Sequence, residues 1–199
     1  MTKEALLIFA KNPEAGKVKT RLAASMGNEV ALAIYNQLLL HTVSVTRYLP
    51  FDKFVFYSSY IDEHDIWDSK HYYKKAQQGN DLGERMKSAF ASIFYNGYDN
   101  AVIIGTDCPD LNAEIIESAF TYLQTYDVVI GPAEDGGYYL LGMKEMHYKL
   151  FEDIEWSTSK VLHFTLDKCA ASQLSYYLLP VLNDIDEEKD LRAFKLQKQ

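Results

Sequence analysis

Short apolar runs of strand length alternate along the chain with longer segments in which apolar residues recur every three or four positions. The short runs, rich in Val, Ile, Leu and aromatic residues, predict buried strands, and the longer periodic segments predict amphipathic helices. The predicted strands cover residues 5–10, 54–57, 101–105, 127–131 and 138–141. The predicted helices cover residues 28–48, 81–95 and 113–123.

The alternation of strands and helices indicates the fold class. Continuous apolar runs are typical of strands buried on both faces, and intervening helices supply the crossover connections of a parallel sheet. We therefore predict an α/β fold of three layers, Rossmann-like, with a mainly parallel sheet. No internal repeat or low-complexity linker divides the sequence, so residues 1–199 are predicted to form a single domain.

Composition and charge narrow the classes of ligand. Hydrophobic residues make up 48% of the chain, which favours a packed globular core. The formal net charge of −8 argues against nucleic acid as a partner, because such binding depends on many Lys and Arg contacts with phosphate. A local basic pocket for a small phosphorylated ligand is still compatible with this charge.

The sequence predicts a cytoplasmic protein without a membrane span. The apolar stretch at residues 5–10 is too short to cross a bilayer and lacks the cleavage region of a signal peptide. Cys108 and Cys169 lie far apart without metal-ligand spacing, so reduced thiols are the simplest interpretation. An oligomer is compatible with these features.

A basic loop at residues 11–22 follows the first predicted strand. It contains four basic side chains in a chain that is acidic overall: Lys11, Lys17, Lys19 and Arg21. Ligands of open α/β sheets bind beyond the carboxyl ends of the strands, and both Lys and Arg bind phosphate oxygens. We therefore favour a phosphate-binding loop over the alternative, a solvated basic loop before a helix. The spacing matches neither a P-loop nor a dinucleotide-binding glycine motif.

The apolar strand at residues 101–105 leads directly to Asp107. A carboxylate at a strand end can hold Mg²⁺ or Mn²⁺ against a diphosphate, because hard cations prefer carboxylate and phosphate oxygens. We interpret Asp107 as a metal ligand. Asp110 is either functional or a turn or N-cap residue of the next helix. Cys108, beside Pro109, is interpreted as a buried thiol rather than a nucleophile.

A glycine pair follows the fourth predicted strand. Asp135, Gly136 and Gly137 lie between two apolar runs, which is a strong hairpin signal. The two glycines permit close approach of the backbone to a ligand, Asp135 can bind a hydroxyl group or a metal, and Tyr138 lies beside the predicted cleft. A turn and a ligand site are compatible in this segment.

The helix predicted at residues 81–95 begins with a capping pattern. Asp81 and Glu84 have the spacing of a capping box, which explains both residues without a ligand. Arg85 is less expected, because the helix dipole disfavours a cation in the first turn. We therefore predict an anionic partner for Arg85, either a carboxylate or a phosphate.

Acidic residues alternate around Ile185. In an extended segment, Asp184 and Asp186 lie on the same side. This segment can supply a second metal carboxylate, whereas the alternative is a solvated acidic run before a last helix.

Six motifs, taken in order, resemble one bacterial family. They are F-A-K-N-P-E-A-G-K-V-K-T-R-L, D-L-G-E-R-M, G-T-D-C-P-D-L, E-D-G-G-Y-Y-L-L-G, I-E-W-S-T and D-I-D-E-E-K-D-L. The resemblance covers residues 5–191 and implies a glycosyltransferase-A fold, as in the nucleotide-diphospho-sugar transferase superfamily. The family is also distantly similar to 2-phospholactate guanylyltransferase and to molybdenum-cofactor and sugar-phosphate nucleotidyltransferases.

The resemblance implies roles for residues in three of the motifs. In relatives of known activity, the loop after the first strand binds nucleotide phosphates and a strand-end Asp, here Asp107, holds Mg²⁺. A second metal ligand precedes a T-P-E-D-L-like helix start, where this chain has D-E-E-K-D-L and Asp186 is the matching position. The predicted nucleotide-binding residues are Lys11, Gly16, Lys17, Lys19, Thr20, Arg21, Asp81 and Arg85.

Together these features predict a transferase that depends on Mg²⁺ or Mn²⁺. Its donor is a nucleoside triphosphate or a nucleotide sugar, and its acceptor is not identified; nucleotidyl and glycosyl transfer are both compatible with the residues. The predicted catalytic residues are Lys19, Arg21 and Asp135, and the predicted substrate contacts are Gly136, Gly137 and Tyr138. The alternative is a non-catalytic nucleotide-binding or regulatory module on the same fold.

Overall fold

The computed structural model describes residues 2–191, within which seven strands form one sheet. The strands are β1 (Glu4–Ala10), β2 (Asp52–Tyr57), β3 (Tyr73–Ala76), β4 (Asn100–Ile104), β5 (Val128–Pro132), β6 (Tyr138–Met143) and β7 (Tyr176–Leu178). The helices are α1 (Thr20–Met26), α2 (Asn28–Thr46), α3 (Leu82–Tyr95), α4 (Ala113–Tyr122) and α5 (Val161–Ala171), with a 3₁₀ turn at Tyr148–Phe151.

The strands lie in the order β3-β2-β1-β4-β6-β5-β7. Strand β6 runs antiparallel to β4 and β5, while every other neighbouring pair is parallel. The sheet is thus mainly parallel, as predicted, and the carboxyl ends of β1, β2, β4 and β5 share one edge. Because β6 runs the other way, its first residue, Tyr138, lies at that same edge.

Two apolar clusters cover the faces of the sheet and make the fold three layers thick. On one face, Leu6 and Ile8 of β1 pack with side chains of α2 and α4. On the other face, Leu7 packs with side chains of α3 and α5. Successive side chains of a strand point to opposite faces, which explains why β1 is apolar at every position after Glu4. The predicted three-layer α/β class is confirmed.

Local capping sets the starts of two helices. The carboxylate of Asp81 accepts a hydrogen bond from Glu84 N at 2.8 Å and caps α3. Glu84 in turn accepts one from Asn80 N at 2.8 Å, one residue earlier than in a standard capping box. Asn112 caps α4, so Asp110 is not the N-cap and lies in the turn before it.

Four elements have no counterpart in the sequence prediction: α1, β3, α5 and β7. Helix α1 begins at Thr20, inside the segment predicted as a loop over residues 11–22. Strands β3 and β7 lie at the two edges of the sheet and contain four and three residues. None of the helices within residues 2–191 has the length and apolar character needed to cross a membrane.

Candidate active site

A cleft opens at the carboxyl edge of the sheet, beyond β1 and β4. It has two connected parts, a polar cavity of about 590 Å³ and a more apolar cavity of about 380 Å³. Seven residues line both parts, and they include Lys11, Tyr35, Asp107 and Tyr138. Other residues from the predicted site line the polar part: Lys19, Thr20, Arg21, Asp135, Gly137 and Asp186. The fold thus brings together the basic loop, the strand-end Asp, the hairpin and the acidic segment.

Lys19 lies deep in the polar part of the cleft. Its side chain is only 3% exposed, and its Nζ lies 2.8 Å from Asp107 Oδ1 and 3.6 Å from Asp186 Oδ1. Both contacts are ion pairs, and neither has the orientation of a regular hydrogen bond. The Lys19 backbone is left-handed, with φ +47°, a conformation that non-glycine residues rarely adopt and that surrounding contacts must hold.

The acidic segment is fixed against the Asp107 loop by its backbone. Ile185 N donates a hydrogen bond to Asp107 O at 3.0 Å. The Asp190 carboxylate accepts hydrogen bonds from the backbone of Asp186 and of the next residue, at 3.0 and 2.7 Å. Arg21 Nη1 then donates to Asp186 Oδ2 at 3.0 Å. These contacts hold Asp186 beside Asp107, although the two residues come from distant parts of the chain.

Asp184 lines both parts of the cleft and adds a third carboxyl group. Burial, together with the nearby Asp107 carboxylate, raises the pKa of Asp184 to about 7, against the opposing effect of Lys19. With a pKa of about 7, Asp184 carries only part of a negative charge at neutral pH.

The hairpin between β5 and β6 brings Asp135 to the polar part. Gly136 N donates to Ala133 O, and Ala133 N donates to Gly137 O, both at 3.1 Å, so the predicted turn is confirmed. Asp135 Oδ1 accepts a hydrogen bond from Gly137 N at 2.8 Å. Gly136 has φ +88° and packs on the backbone of Ser159, where a Cβ would collide. Packing alone therefore accounts for Gly136, which does not line either cavity.

Gly16 and Lys17 lie outside both parts of the cleft. The side chain of Lys17 is 70% exposed and forms an ion pair with Glu14 at 2.6 Å. Gly16 has φ +77°, so it serves the turn that leads to α1. The part of the basic loop that reaches the cleft interior is the stretch from Lys19 to Arg21, together with Lys11.

Two of the predicted nucleotide-binding residues, Asp81 and Arg85, lie at the start of α3 and have different environments. Asp81 acts as the N-cap of α3 and lines neither cavity. Arg85 lines the apolar part, where its Nε donates to Gly79 O at 3.1 Å and its Nη1 lies 3.5 Å from Gln77 Oε1. Its partners within residues 2–191 are thus neutral oxygens, and the expected carboxylate is not among them. Phosphate binding by Arg85 stays a prediction.

Tyr35 of α2 was not recognised from the sequence. It is buried, and its hydroxyl accepts a hydrogen bond from Lys11 N at 2.8 Å and donates to Lys11 O at 3.1 Å. The same hydroxyl lies 3.3 Å from Thr106 Oγ1. Tyr35 therefore links the residue after β1 to the residue before Asp107. An aromatic residue within an apolar helical pattern gives no signal for this role.

Residues 156–159 form a wall of the polar part that the sequence analysis also left unassigned. The indole of Trp156 packs directly on Gly83 in the first turn of α3, where a Cβ would collide with the ring. Ser157 has a left-handed backbone with φ +63°. The I-E-W-S-T motif was visible in the sequence, but its residue types have no general chemical meaning at that spacing.

Cys108 is buried, as predicted. Burial raises the pKa of its thiol to about 12. Because the thiolate is the nucleophilic form of cysteine, Cys108 is suited to packing beside Asp107 rather than to attack on a substrate.

The donor groups of the cleft fit a divalent cation that is shared with a ligand. Within residues 2–191, no group of three or more His, Cys, Asp or Glu side chains is arranged to hold a metal by itself. Asp107 and Asp186 both lie close to the same ammonium group. Since Mg²⁺ is often held by one or two carboxylates together with phosphate oxygens and water, this pair fits a metal ion that arrives with a phosphorylated ligand.

Comparison with known proteins shows the family. Residues 42–158 match the family described as "uncharacterized protein conserved in bacteria", DUF2064. The chain belongs to this family. The DUF2064 chain is also 36% identical to a protein from Desulfovibrio desulfuricans G20 that is provisionally described as a nucleotide-diphospho-sugar transferase. The alignment covers 100% of this chain and 89% of that crystal structure, with a TM-score of 0.92.

More distant structures share the fold of this DUF2064 protein. CMP:2-keto-3-deoxy-manno-octonic acid synthetase in complex with CTP is 8% identical over 100% of both chains, with a TM-score of 0.60. A manganese complex of a Mycobacterium tuberculosis H37Rv protein is 12% identical over 96% of this chain and 97% of that one, with a TM-score of 0.59. The fold is therefore glycosyltransferase-A-like, as the resemblance implied. A comparison with curated proteins gave no match.

Proposed function

We propose that this protein is a metal-dependent transferase whose donor is a nucleoside triphosphate or a nucleotide sugar. The observation that carries the proposal is the position of Lys19 between Asp107 and Asp186 at the polar end of the cleft. A buried cation beside two carboxylates suits a diphosphate with its divalent cation, because the ammonium binds phosphate oxygens and the carboxylates bind the metal. The transferase character of the similar structures supports the same class of reaction.

The two cationic side chains are proposed to stabilise the leaving group. Lys19 and Arg21 would bind the oxygens of departing pyrophosphate or nucleoside diphosphate, on which negative charge develops. The charge of Lys19 acts in a nearly water-free position, where electrostatic interactions are stronger than in water. Asp107 and Asp186 would hold Mg²⁺ or Mn²⁺, which supplies further charge neutralisation when bound. Once the metal and the ligand are bound, these groups are in place, and little further reorganisation accompanies the reaction.

The two parts of the cleft suit the two halves of a nucleotide. The apolar part, lined by Phe9, Met86 and Leu140 among others, suits a nucleobase and ribose. The polar part, lined by Lys19 and Asp135, suits the diphosphate and an acceptor. In glycosyl transfer, Asp135 is the candidate acid or base near the acceptor. In nucleotidyl transfer, an acceptor phosphate would attack the α-phosphorus and pyrophosphate would leave.

Replacement of Asp107 tests the metal site. Asp107→Asn keeps the shape of the side chain and the backbone carbonyl that binds Ile185, so the fold should be retained. We expect the variant to lose Mg²⁺-dependent nucleotide binding, measured by isothermal titration calorimetry. Asp110→Asn, in the nearby turn and outside both cavities, is the matched control. Unchanged binding by Asp107→Asn would remove Asp107 from the metal site.

A product screen separates the possible reactions. The wild-type protein is incubated with Mg²⁺ and with panels of nucleoside triphosphates, nucleotide sugars and candidate acceptors. Release of pyrophosphate selects nucleotidyl transfer, and release of nucleoside diphosphate selects glycosyl transfer. Saturable binding with neither product selects the non-catalytic module. Failure of every nucleotide to bind contradicts the proposal as a whole.

A further inference from the structure

The Lys19 ammonium lies against the two carboxylates that are proposed to hold the metal ion. It approaches one oxygen of Asp107 and one of Asp186, and the Lys19 side chain is 3% exposed. The left-handed backbone at φ +47° shows that this placement is held against a conformational cost. Lys19 is therefore a fixed, buried partner of the two carboxylates and not a mobile surface cation.

Two cationic side chains offset the two negative charges of the pair before any ligand binds. Lys19 lies between Asp107 and Asp186, and Arg21 donates to the second oxygen of Asp186. A divalent cation that entered alone would add two positive charges beside a buried ammonium. Repulsion between like charges is strong where water is excluded, so binding of the free metal ion should be weak.

A phosphorylated ligand changes this balance in two ways. Its oxygens add negative charge next to the ammonium and offset the repulsion from the metal. They also accept hydrogen bonds from the Lys19 ammonium, whose contacts with the two carboxylates are ion pairs without regular hydrogen-bond orientation. The phosphate oxygens can therefore replace the carboxylates as partners of the ammonium.

We propose that Lys19 is an internal counter-cation that keeps the Asp107–Asp186 pair closed to free divalent ions and releases it to a metal that arrives with a diphosphate. This inference rests on the proposed function, because it assumes that the two carboxylates are the metal ligands. It adds an order of events that the proposed function does not contain. Metal and phosphorylated ligand bind together, and each strengthens the binding of the other by the same factor.

The test measures binding of Mn²⁺ to the nucleotide-free protein by electron paramagnetic resonance of the unbound ion. Lys19→Met removes the ammonium, and we expect its Mn²⁺ affinity to exceed that of the wild type by at least about tenfold, which corresponds to about 1.4 kcal/mol of repulsion. Lys19→Arg retains the charge and should bind Mn²⁺ as weakly as the wild type. Lys17→Met removes the same charge from the same loop outside the cleft and should also match the wild type.

Three further measurements cover the loss of folding, the location of the metal and the effect of the phosphorylated ligand. If Lys19→Met does not fold, Lys19→Gln takes its place, because it also removes the charge and keeps a polar side chain of similar length. We expect it to show the same gain in Mn²⁺ affinity. Adding Asp107→Asn to Lys19→Met should abolish the gained affinity. In the wild type, a saturating nucleoside diphosphate should raise Mn²⁺ affinity at least about tenfold, after correction for metal bound by the ligand itself.

The outcomes distinguish this inference from the proposed function. Equal Mn²⁺ affinity in the wild type and in folded Lys19→Met or Lys19→Gln overturns the inference. The proposed function still stands in that case if Asp107→Asn lowers nucleotide-dependent metal binding. If neither the wild type nor any variant binds Mn²⁺, with or without a nucleoside diphosphate, both are overturned.

Discussion

Tyr35 shows how a single side chain can hold the floor of the cleft. Its hydroxyl satisfies both backbone polar groups of Lys11 and lies beside Thr106, so it joins the ends of the two central strands. The neighbouring residue, Asp107, is a proposed metal ligand. The relative position of the basic loop and the strand-end carboxylate thus depends on one buried oxygen atom from α2.

Tyr35→Phe is expected to destabilise the protein. The substitution leaves the N–H of Lys11 without its acceptor, and an unsatisfied buried donor costs about 1–3 kcal/mol. Unfolding in urea, followed by circular dichroism, measures this loss. Tyr177→Phe is the control, because it removes a hydroxyl that bonds to another tyrosine hydroxyl and leaves no backbone group unpaired. A loss for Tyr35→Phe no greater than that for Tyr177→Phe would contradict this role.

Residue types alone predicted part of the cleft. Asp107 could be identified because a carboxylate after an apolar strand has few structural roles. Lys19 and Lys17 looked equivalent in the sequence, yet one is buried and the other is 70% exposed. Of the two, Lys19 has the left-handed backbone, and no residue pattern in the sequence predicts this conformation. Tyr35 and Trp156 were missed because aromatic residues serve ordinary cores far more often than sites.

At the scale of elements, Asp127 ties three strand ends together. It precedes β5, accepts hydrogen bonds from Ser175 before β7, and forms an ion pair at 2.9 Å with Lys144 after β6. Strand β7 has only three residues and lies at the edge of the sheet. Its position therefore depends on this carboxylate as well as on its pairing with β5. So short a strand, with little apolar pattern of its own, could not be predicted from the sequence.

Asp127→Asn is expected to reduce stability in a pH-dependent way. Hydrogen bonds from Ser175, followed by Lys144, lower the pKa of Asp127 to about 2 in the folded protein, against about 3.9 in an unfolded chain. The carboxylate therefore contributes stability above pH 4, and this contribution is lost as pH falls from about 4 to about 2. We expect a loss of about 1–2 kcal/mol at pH 7 and a much smaller difference near pH 2.

Denaturation of wild type and variant across this pH range tests the expectation. Asp153→Asn provides the control, because the Asp153 side chain is 92% exposed and its backbone φ of +53° is one that Asn tolerates. A difference between Asp127→Asn and wild type that does not change with pH would contradict the assignment.

At the scale of the whole molecule, the two apolar clusters lie on opposite faces of one sheet. Strand β1 contributes to both, so neither cluster can form without the central strands. This arrangement explains why fold class was predictable although several elements were missed. The long apolar strands and the α2, α3 and α4 helices define the layers, whereas the missed strands occupy the edges. We propose that the molecule unfolds as a single cooperative unit.

Ligand binding should therefore shift one unfolding transition as a whole. With a nucleotide at 100 times its dissociation constant and with Mg²⁺, we expect about 2.7 kcal/mol of added stability. For a chain of this size, that corresponds to a rise in melting temperature of about 5–10 °C. Differential scanning fluorimetry with and without a chelator measures the shift, and Asp107→Asn should not show it. Two separate transitions, only one of which responds, would contradict a single unit.

The contact between Arg21 and Asp186 joins residues that are 165 positions apart in the sequence. During synthesis, the basic loop and the first strand leave the ribosome long before the acidic segment is made. Until Ile185 and Asp186 emerge, the proposed metal pair lacks one carboxylate, and the Asp107 loop lacks the backbone contact that fixes it. A growing chain can thus bury much of its sheet before its cleft is able to hold the proposed metal–nucleotide complex. The ability to bind the proposed complex is therefore acquired only after residue 186 has been made.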